Sequence, residues 1–388
     1  MHGVRVFRSD ARCATDAPPA RALLCSFVMR FRFRSLATLL GLSACALVAA
    51  CGDAPTPASP GLDDAAGDVP DASNDASVDG LAPNADGGAP GNVDGATDAA
   101  SHDGGIATDA ARPSAGNFPA RFAAPYVETW NDNDLSAIAS ATGHKFYTLA
   151  FVINGQGTCN PTWNGDTALG GNAYGAHITA LRNAGGDVIV SFGGASGTEM
   201  GQACTTVATL QAAYQKVITQ FHLTWIDLDI ESGAESDTAS IDRRNKALHD
   251  LQMVNPDLRV SYTLAVDRTG LPAAQTNLLK NAQTNGARVD VVNVMAMDYG
   301  PCYADMGQAA IDAATATKNQ LAGIHLAASV GVTPMAGPND VTCENFTAAN
   351  AQQLATFAQS SPFVRLLAFW ALGADPNRAF VNAFHPFH

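Results

Sequence analysis

The sequence predicts one α/β domain at 117–388, a single (β/α)8 TIM barrel preceded by a disordered linker. Short apolar runs alternate with longer segments of helical spacing after Asn117. Eight such pairs in roughly 270 residues match the size of one barrel rather than that of two domains. A doubly wound parallel sheet, which also alternates strands and helices, is the second choice.

The predicted strands are short apolar runs, and the predicted helices carry apolar residues at helical spacing. The strands lie at 122–127, 146–153, 187–192, 223–230, 259–265, 289–297, 326–332 and 365–370. The helices include 135–141, 174–184, 207–220, 238–253 and 348–359.

Residues 1–51 form a targeting leader rather than part of the fold. Three arginines at 30–34 precede an apolar run at 36–50 that ends at Cys51. This order is typical of a secretory signal peptide, and the run is too short for a spanning helix. The small residues that end at Cys51 resemble the cleavage site of a bacterial lipoprotein, the lipobox. We therefore predict lipidation of Cys51 and a true start at Met29. An ordinary cleaved signal, with Cys51 incidental, is the alternative.

The segment 52–116 is rich in Asp, Ala, Gly, Pro and Ser and contains no aromatic residue. Such a segment buries too little apolar surface to offset the entropy of ordering, which predicts a disordered spacer. We therefore expect an exported protein, either a cell-envelope lipoprotein or a secreted one, that meets a membrane only through its lipid anchor.

The charge and the motifs exclude several classes of partner. The formal net charge of −14 offers no basic field for nucleic acid. The Gly-Gln-Gly sequence at 155–157 lacks the third glycine of a dinucleotide loop, and Ser191 lacks the G-x-S-x-G elbow of a hydrolase nucleophile. We predict a monomer without cofactor or metal.

Four cysteines fall in the predicted barrel: Cys159, Cys204, Cys302 and Cys343. In an exported domain they suggest two disulfides, and none has the C-x-x-C spacing of a metal site. Their positions alone allow three pairings.

The stretch from Leu223 to Ser232 places three carboxylates, Asp227, Asp229 and Glu231, two residues apart in an apolar run. Because side chains alternate along a strand, the acids share one face and the apolar residues pack on the other. Burying such a row is costly unless the acids share protons, find partners or do chemistry. In a barrel lumen Asp227 would lie deepest, and Glu231 at the mouth would be a proton donor with a raised pKa.

Other strand ends bring further candidates to the same rim, because the carboxyl ends of barrel strands meet there. The candidate substrate-binding residues are Met295, Met297, Asp298, Tyr299, Trp370, Gly193, Gly194, Tyr126 and Phe151. Structural alternatives are a helix N-cap for Asp298 and ordinary core packing for Tyr126 and Phe151. The three acids could instead form a salt-bridged strand or a divalent metal site, but no further ligand at fixed spacing completes a metal set.

These motifs resemble those of a known family. D-x-D-x-E at 227–231, S-x-G-G at 191–194 and M-x-x-D at 295–298, together with Trp370 after the last strand, resemble glycoside hydrolase family 18 in its bacterial chitinase branch. The resemblance runs from about 122 to 377, which is nearly the whole predicted barrel.

The resemblance implies endo-hydrolysis of β-1,4-linked N-acetylglucosamine, in chitin or chitooligosaccharides, with retention and assistance from the substrate. Glu231 would protonate the glycosidic oxygen, and the acetamido carbonyl of the sugar would be the nucleophile. Asp229 would orient the acetamido N–H, with Asp227 sharing a proton below it.

The resemblance also implies that Asp298 and Tyr299 hold the acetamido group or the distorted ring and that Trp370 forms the floor. Many members have a Tyr before this Asp, where the chain has Met297, so Tyr299 could replace the missing phenol. The usual D-G before the acids is Thr-Trp at 224–225. Those positions support the strand, so activity is expected to remain.

With this strand order, Cys159 and Cys204 follow strands two and three, and the other two cysteines follow strands six and seven. We therefore predict Cys159–Cys204 and Cys302–Cys343, each linking neighbouring loops of the active face. About 30 residues separate strands seven and eight, enough for one loop and one helix but not for the α+β insertion of processive members. An open cleft is expected.

Two rival functions stay open. An endo-β-N-acetylglucosaminidase acting on N-glycans shares the three acids, and its substrate choice resides in loops. A catalytically silent, lectin-like barrel is the rival outside enzymes, although such relatives typically lack the last acid, which is present here as Glu231.

Overall fold

The computed structural model describes residues 116–131 and 133–387 of the chain. The leader, Cys51 and linker residues 52–115 lie outside the described residues. The signal, lipidation and linker therefore stay predictions.

Eight strand positions form the barrel, and short additional strands lie in its loops. The strands are β1 (Phe122–Ala123), β2 (Tyr126–Glu128), β3 (Phe146–Asn154), β4 (Pro161–Trp163), β5 (Asp187–Gly193), β6 (Trp225–Asp229), β7 (Arg259–Ala265), β8 (Val291–Met295), β9 (Ser329–Thr333), β10 (Gly337–Pro338), β11 (Asn345–Phe346) and β12 (Val364–Leu367).

The barrel closes through its first position, which is divided into β1 and β2. β1 pairs in parallel with β12, and β2 pairs in parallel with β3. Between them the strands follow chain order through β5, β6, β7, β8 and β9, all parallel. The predicted (β/α)8 barrel is confirmed, because a doubly wound sheet would reverse its order once and stay open.

Helices follow the strands and cover the outside of the barrel. They are α1 (Leu135–Thr142), α2 (Tyr174–Asn183), α3 (Met200–Ala203), α4 (Val207–Phe221), α5 (Thr238–Val254), α6 (Ala273–Thr284), α7 (Met306–Gly323), α8 (Ala348–Ser360) and α9 (Ala379–Phe384). Each helix that the periodicity located is present. The short α3, β4 and the β10–β11 hairpin were not predicted, because elements of two to four residues carry no measurable period.

The strand that carries the three acids has the predicted two faces. Ile226, Leu228 and Ile230 belong to the large apolar core between strands and helices. Asp227 and Asp229 point to the other side, into the lumen, where both are buried. The alternation therefore fixes which face of β6 meets the helices.

An aromatic plug closes the amino end of the lumen. Trp225 packs edge-on against Phe118 and Phe122, with ring centroids 5.3 Å from each. The guanidinium groups of Arg259 and Arg365 lie over its indole. Trp225, where the chain departs from the family pattern, thus supports the amino end of the strand that carries the acids.

The segment between β9 and β12 contains the β10–β11 hairpin and helix α8. It has no α+β subdomain, so this side of the barrel mouth is bounded by a loop and a hairpin. Throughout the described part of the chain, no helix is both long and apolar enough to cross a membrane.

Candidate active site

A pocket of about 270 Å³ opens at the carboxyl ends of the barrel strands. Its lining comes from all eight strand positions and the loops that follow them. The lining residues are Tyr126, Phe151, Ala195, Asp229, Glu231, Thr263, Met295, Met297, Asp298, Thr333, Met335, Asp340 and Trp370. The barrel thus brings most of the predicted site residues together.

Asp227 lies beneath the pocket and is surrounded by hydroxyl groups. Ser191 and Ser261 donate hydrogen bonds to its two carboxylate oxygens at 2.7 and 2.5 Å. Thr263 donates at 2.9 Å, and the Tyr126 hydroxyl lies 3.1 Å from the same carboxylate. Burial raises the pKa of Asp227, and these hydroxyl donors oppose the rise. The cage therefore reduces the cost of a charged Asp227 below the site.

Asp229 and Glu231 form a hydrogen-bonded carboxyl pair above Asp227. Burial is the main reason why the pKa of Asp229 lies well above its ordinary range, and the charges of Glu231 and Asp227 raise it further. Burial also raises the pKa of Glu231. The sequence prediction had Asp229 sharing a proton with Asp227. In the structure the hydroxyl cage satisfies Asp227, and the partner of Asp229 is Glu231.

One oxygen of the pair has no partner. Oδ1 of Asp229 is buried and makes no hydrogen bond, while its residue lines the pocket. A buried acceptor without a donor is costly, so this atom is suited to accept an N–H from a bound molecule.

Aromatic rings form one wall of the pocket. Phe151 stacks on Trp370 with centroids 5.4 Å apart and an interplanar angle of 16°. Tyr126 meets Trp370 edge-on at 5.9 Å. Trp130, which is 55% exposed, lies 6.2 Å from Trp370 and extends this wall into an adjoining groove. Flat rings of this kind are suited to stacking against sugars.

The two predicted glycines allow the close approach that was expected of them. A Cβ atom on Gly193 would meet the carbonyl oxygen of Asp229 at 2.0 Å, and one on Gly194 would meet the Phe151 ring at 2.8 Å. Both glycines have positive φ, at 109° and 93°. Gly193 lines the adjoining groove, whereas Gly194 packs beneath Phe151.

Methionines and one acid form the opposite wall. Met295 and Met297 line the pocket, as predicted, and Met335 joins them from the loop after β9. Asp298 also lines the pocket, and its carboxylate accepts the N–H of Val341 at 2.8 Å. It is not the N-cap of α7, a position that Asp305 occupies.

Tyr299 does not line the pocket, which contradicts its predicted contact with substrate. Its ring packs edge-on against Tyr303 at 5.5 Å, and its buried hydroxyl has no hydrogen-bond partner. The positive φ of Asp298, 51°, turns the chain so that the next side chain leaves the pocket. Tyr299 therefore cannot replace the phenol that is absent at Met297.

Several site residues were missed from the sequence. Ser261 and Thr263 lie in register with Asp227 and Asp229 on the neighbouring strand β7. Their two-residue spacing within an apolar run was the signal that could have found them. Ala195, Thr333, Met335 and Asp340 also line the pocket.

Both loop disulfides have the connectivity that the strand order predicted. Cys159 is bonded to Cys204, and Cys302 is bonded to Cys343. The second bond links the loop after β8 to the loop that contains β10 and β11. Within residues 116–131 and 133–387, no cluster of three His, Cys, Asp or Glu side chains is arranged to hold a metal ion.

The raised pKa of Asp229 predicts a pH-dependent stability. A carboxyl whose folded pKa exceeds its unfolded value binds protons more tightly when folded, so it costs stability as pH rises through that interval. Asp229→Asn should therefore match the wild type near pH 4 and exceed its Tm by a few degrees near pH 8, at ~2–4 °C per kcal/mol. Calorimetry at both pH values is the measurement.

Asp237→Asn is the control, for which we expect the opposite dependence of stability on pH. This residue is the N-cap of α5. Desolvation raises the pKa of Asp237, but hydrogen bonds from Ser240 and Ala239 outweigh it and hold this pKa below its ordinary value. Asp237→Asn should lose stability, relative to the wild type, as pH rises. A Tm difference for Asp229→Asn that does not grow between pH 4 and pH 8 would contradict the assigned burial cost.

Two curated relatives each match about two thirds of the chain. A probable bifunctional chitinase/lysozyme of Escherichia coli is 35% identical over 283 residues, which cover 66% of this chain and 31% of that protein. Endochitinase 11 of Metarhizium anisopliae is 33% identical over 284 residues, which cover 66% of this chain and 53% of that protein. The chain thus spans about a third and about half of the length of these relatives. No family model matches the sequence.

A solved structure matches almost over its full length. The catalytic domain of a hyperthermophilic chitinase from Pyrococcus furiosus is 32% identical, with a TM-score of 0.63, and the match covers 70% of this chain and 96% of that one. Identity at this level over a whole catalytic domain confirms the resemblance that the motifs carried. The chain belongs to glycoside hydrolase family 18 and is similar to its chitinases.

Proposed function

We propose that the barrel hydrolyses β-1,4-linked N-acetylglucosamine chains, chitin or chitooligosaccharides, by a retaining mechanism in which the substrate supplies the nucleophile. The observation that carries this proposal is the Asp229–Glu231 pair, with one buried, unpartnered oxygen on a residue that lines an aromatic-walled pocket. Such an oxygen suits the acetamido N–H of a sugar, and a second carboxyl beside it suits a proton donor.

The shared proton explains how one pair serves both tasks. When an acetamido N–H donates to Oδ1 of Asp229, that carboxylate is stabilised, and the shared proton passes to Glu231. Glu231 then protonates the glycosidic oxygen while the acetamido carbonyl oxygen attacks C1, which breaks the glycosidic bond and forms an oxazolinium ion. Asp229 offsets the positive charge that develops on the acetamido nitrogen.

The second half returns the site to its starting state. Glu231, now a carboxylate, removes a proton from water, and the water oxygen attacks C1 from the face that the leaving group vacated. The oxazolinium ring opens to the acetamido group, so the product keeps the original configuration. Asp227 stays hydrogen-bonded within its hydroxyl cage throughout.

The wall opposite the aromatic rings differs from that of many family members, because it lacks their phenol. With Met297 in place of the family's phenol and Tyr299 turned away, Asp298 is the polar group that the loop after β8 presents to the pocket. We assign Asp298 to the acetamido group or the distorted ring, and Trp370 and Phe151 to the apolar face of the sugar.

The shape of the mouth supports internal cutting of the chain. The pocket continues along Trp130 and Ser196 into a second groove, and a single hairpin bounds the side between β9 and β12. We infer an open cleft and endo-type hydrolysis. A product profile dominated by successive release of disaccharide from crystalline chitin would contradict this inference.

The rival substrate is an N-glycan, because its hydrolysis uses the same acids. The deciding experiment compares purified protein on chitopentaose and on a high-mannose glycoprotein. We expect cleavage of the oligomer and no glycan release. Release from the glycoprotein at a comparable rate would favour the endo-β-N-acetylglucosaminidase alternative, and binding of chitopentaose without turnover would favour the lectin-like one.

We also propose that the protein is exported and acts as a monomer, anchored through a lipid at Cys51 or secreted after cleavage. The support is the order of basic, apolar and small residues in the leader. Labelling with a palmitate analogue in a bacterial host, with Cys51→Ala as the control, tests the anchor, and size-exclusion chromatography with light scattering tests the monomer.

A further inference from the structure

A fully buried carboxylate, Glu344, lies outside the pocket and beside the Cys302–Cys343 disulfide. Its Oε2 accepts the N–H of Tyr299 at 3.0 Å, and its Oε1 accepts the N–H of Gly300 at 2.8 Å. Within the described part of the chain, no Lys or Arg forms an ion pair with it. Two backbone N–H groups thus hold this buried anion.

The loop after β8 is shaped to receive such an anion. Asp298 and Gly300 have positive φ, at 51° and 89°, on either side of Tyr299. Alternation of left-handed and ordinary backbone turns successive N–H groups inward and makes a concave nest for a negatively charged group. The carboxylate of Glu344 fills this nest from the neighbouring loop.

Further contacts join the same two loops. The N–H of Asp298 donates to Oδ1 of Asn339 at 3.3 Å, and the N–H of Asn339 donates to the carbonyl of Glu344 at 3.0 Å. The Asp298 carboxylate in turn accepts the N–H of Val341 at 2.8 Å. Asp298 is therefore held through its N–H, its side chain and the residues that follow it.

We propose that Glu344 is a positioning residue for catalysis, which holds Asp298 at the pocket wall by binding the two peptide N–H groups that follow it. This inference rests on the proposed function. Glu344 touches neither the pocket nor the acid pair, so its whole effect passes through the loop after β8. A carboxylate is suited to this task, because each of its two oxygens accepts one of the two N–H groups.

The position of Asp298 affects the acid itself. Burial is the main cause that raises the pKa of Glu231, and the charges of Glu235 and Asp298 add to the rise, while the hydrogen bond from Asp229 opposes it. A loop that no longer holds Asp298 in place removes one of the charges that keep Glu231 protonated. The basic limb of the pH profile of kcat/KM then moves to lower pH.

The test compares Glu344→Gln and Glu344→Asp with Asp305→Asn as the matched control. Gln keeps the size of the side chain but turns an NH2 group toward one of the two N–H donors. Asp keeps the charge on a shorter side chain. Asp305 also accepts a backbone N–H, that of Gln308 at 2.9 Å, but it caps α7 and does not contact the loop at 298–300.

We expect Glu344→Gln to lower kcat/KM on a chitotriose reporter by about 10–100-fold, with its basic limb shifted to lower pH, and Glu344→Asp to recover part of both. Amide hydrogen exchange at Tyr299 and Gly300 should be faster in Glu344→Gln. Asp305→Asn should lower Tm without moving the pH profile.

Fast exchange at both amides with unchanged kinetics would overturn the proposal, and so would a loss of activity with no movement of the pH profile. If the wild type does not turn over the reporter, the proposed function fails, and the positioning role is judged by chitotriose binding. In that case a Glu344→Gln affinity within twofold of the wild type would overturn it.

Discussion

Glu231→Gln is expected to lower kcat/KM on a chitotriose reporter by roughly 10²–10⁴-fold, the range for loss of a general acid. The amide occupies nearly the same volume and still meets Asp229, so the pocket keeps its shape. It cannot protonate the leaving oxygen or deprotonate water, and both halves of the reaction use that group. The measurement is initial rate against substrate concentration, together with chitotriose affinity by calorimetry.

Glu235→Gln is the matched control for this loss. Glu235 lies four residues further on, accepts the N–H of Gly233 at 2.9 Å and does not line the pocket. Its substitution should change kcat/KM by less than tenfold. If Glu231→Gln binds chitotriose and keeps more than a tenth of the wild-type activity, another group supplies the proton, and the assignment fails.

The three acids could be predicted because a single strand positions them. Period-two alternation within 223–230 gives their shared face, and the apolar partners Ile226 and Leu228 give the direction of the core. Burial then follows from the barrel, which the count of strand and helix pairs predicts. Local pattern and global fold agree at this strand, so the sequence alone was sufficient.

The proton partner of Asp229 could not be predicted in the same way. Asp227 and Glu231 are equally distant from Asp229 along the strand, so spacing does not choose between them. The choice depends on Ser191 and Ser261, which come from both neighbouring strands and satisfy Asp227. That information resides in the pairing register, which the sequence of one strand does not contain.

The opposite wall was predicted least well, because loops build it. Met335 and Asp340 reach the pocket from the irregular segment around β10, and the turn at Asp298 sends Tyr299 away from it. A single left-handed residue reverses the direction of the next side chain, and a non-glycine residue gives little warning of such a backbone. Loop geometry therefore limits what motif matching can say about this wall.

Arg244→Met is expected to lower the free energy of unfolding by about 3–5 kcal/mol, the range for breaking one side of a buried ion pair. Arg244 is fully buried, and its Nη2 lies 2.7 Å from Oε2 of Glu199, while its Nε lies 3.3 Å from Oε1. Methionine fills similar space but leaves the Glu199 carboxylate without its cation. Urea unfolding followed by circular dichroism is the measurement.

The double variant Arg244→Met with Glu199→Gln separates two energies, the attraction within the ion pair and the cost of burying a carboxylate without its cation. Removing both charges should recover much of the loss, because the penalty of Arg244→Met comes from the stranded carboxylate rather than from lost attraction. If Arg244→Met alone is within 1 kcal/mol of the wild type in free energy of unfolding, two other donors satisfy the Glu199 carboxylate unaided. These are Tyr214, 3.5 Å from Oε1 of Glu199, and the α3 N–H of Gln202.

The same substitution should also affect activity. Glu199 follows directly on the loop that carries Ala195 to the pocket wall, so a loss of stability in Arg244→Met should be accompanied by a smaller loss of activity. A loss of both stability and activity would show that the site is kept rigid by a buried ion pair that does not contact substrate.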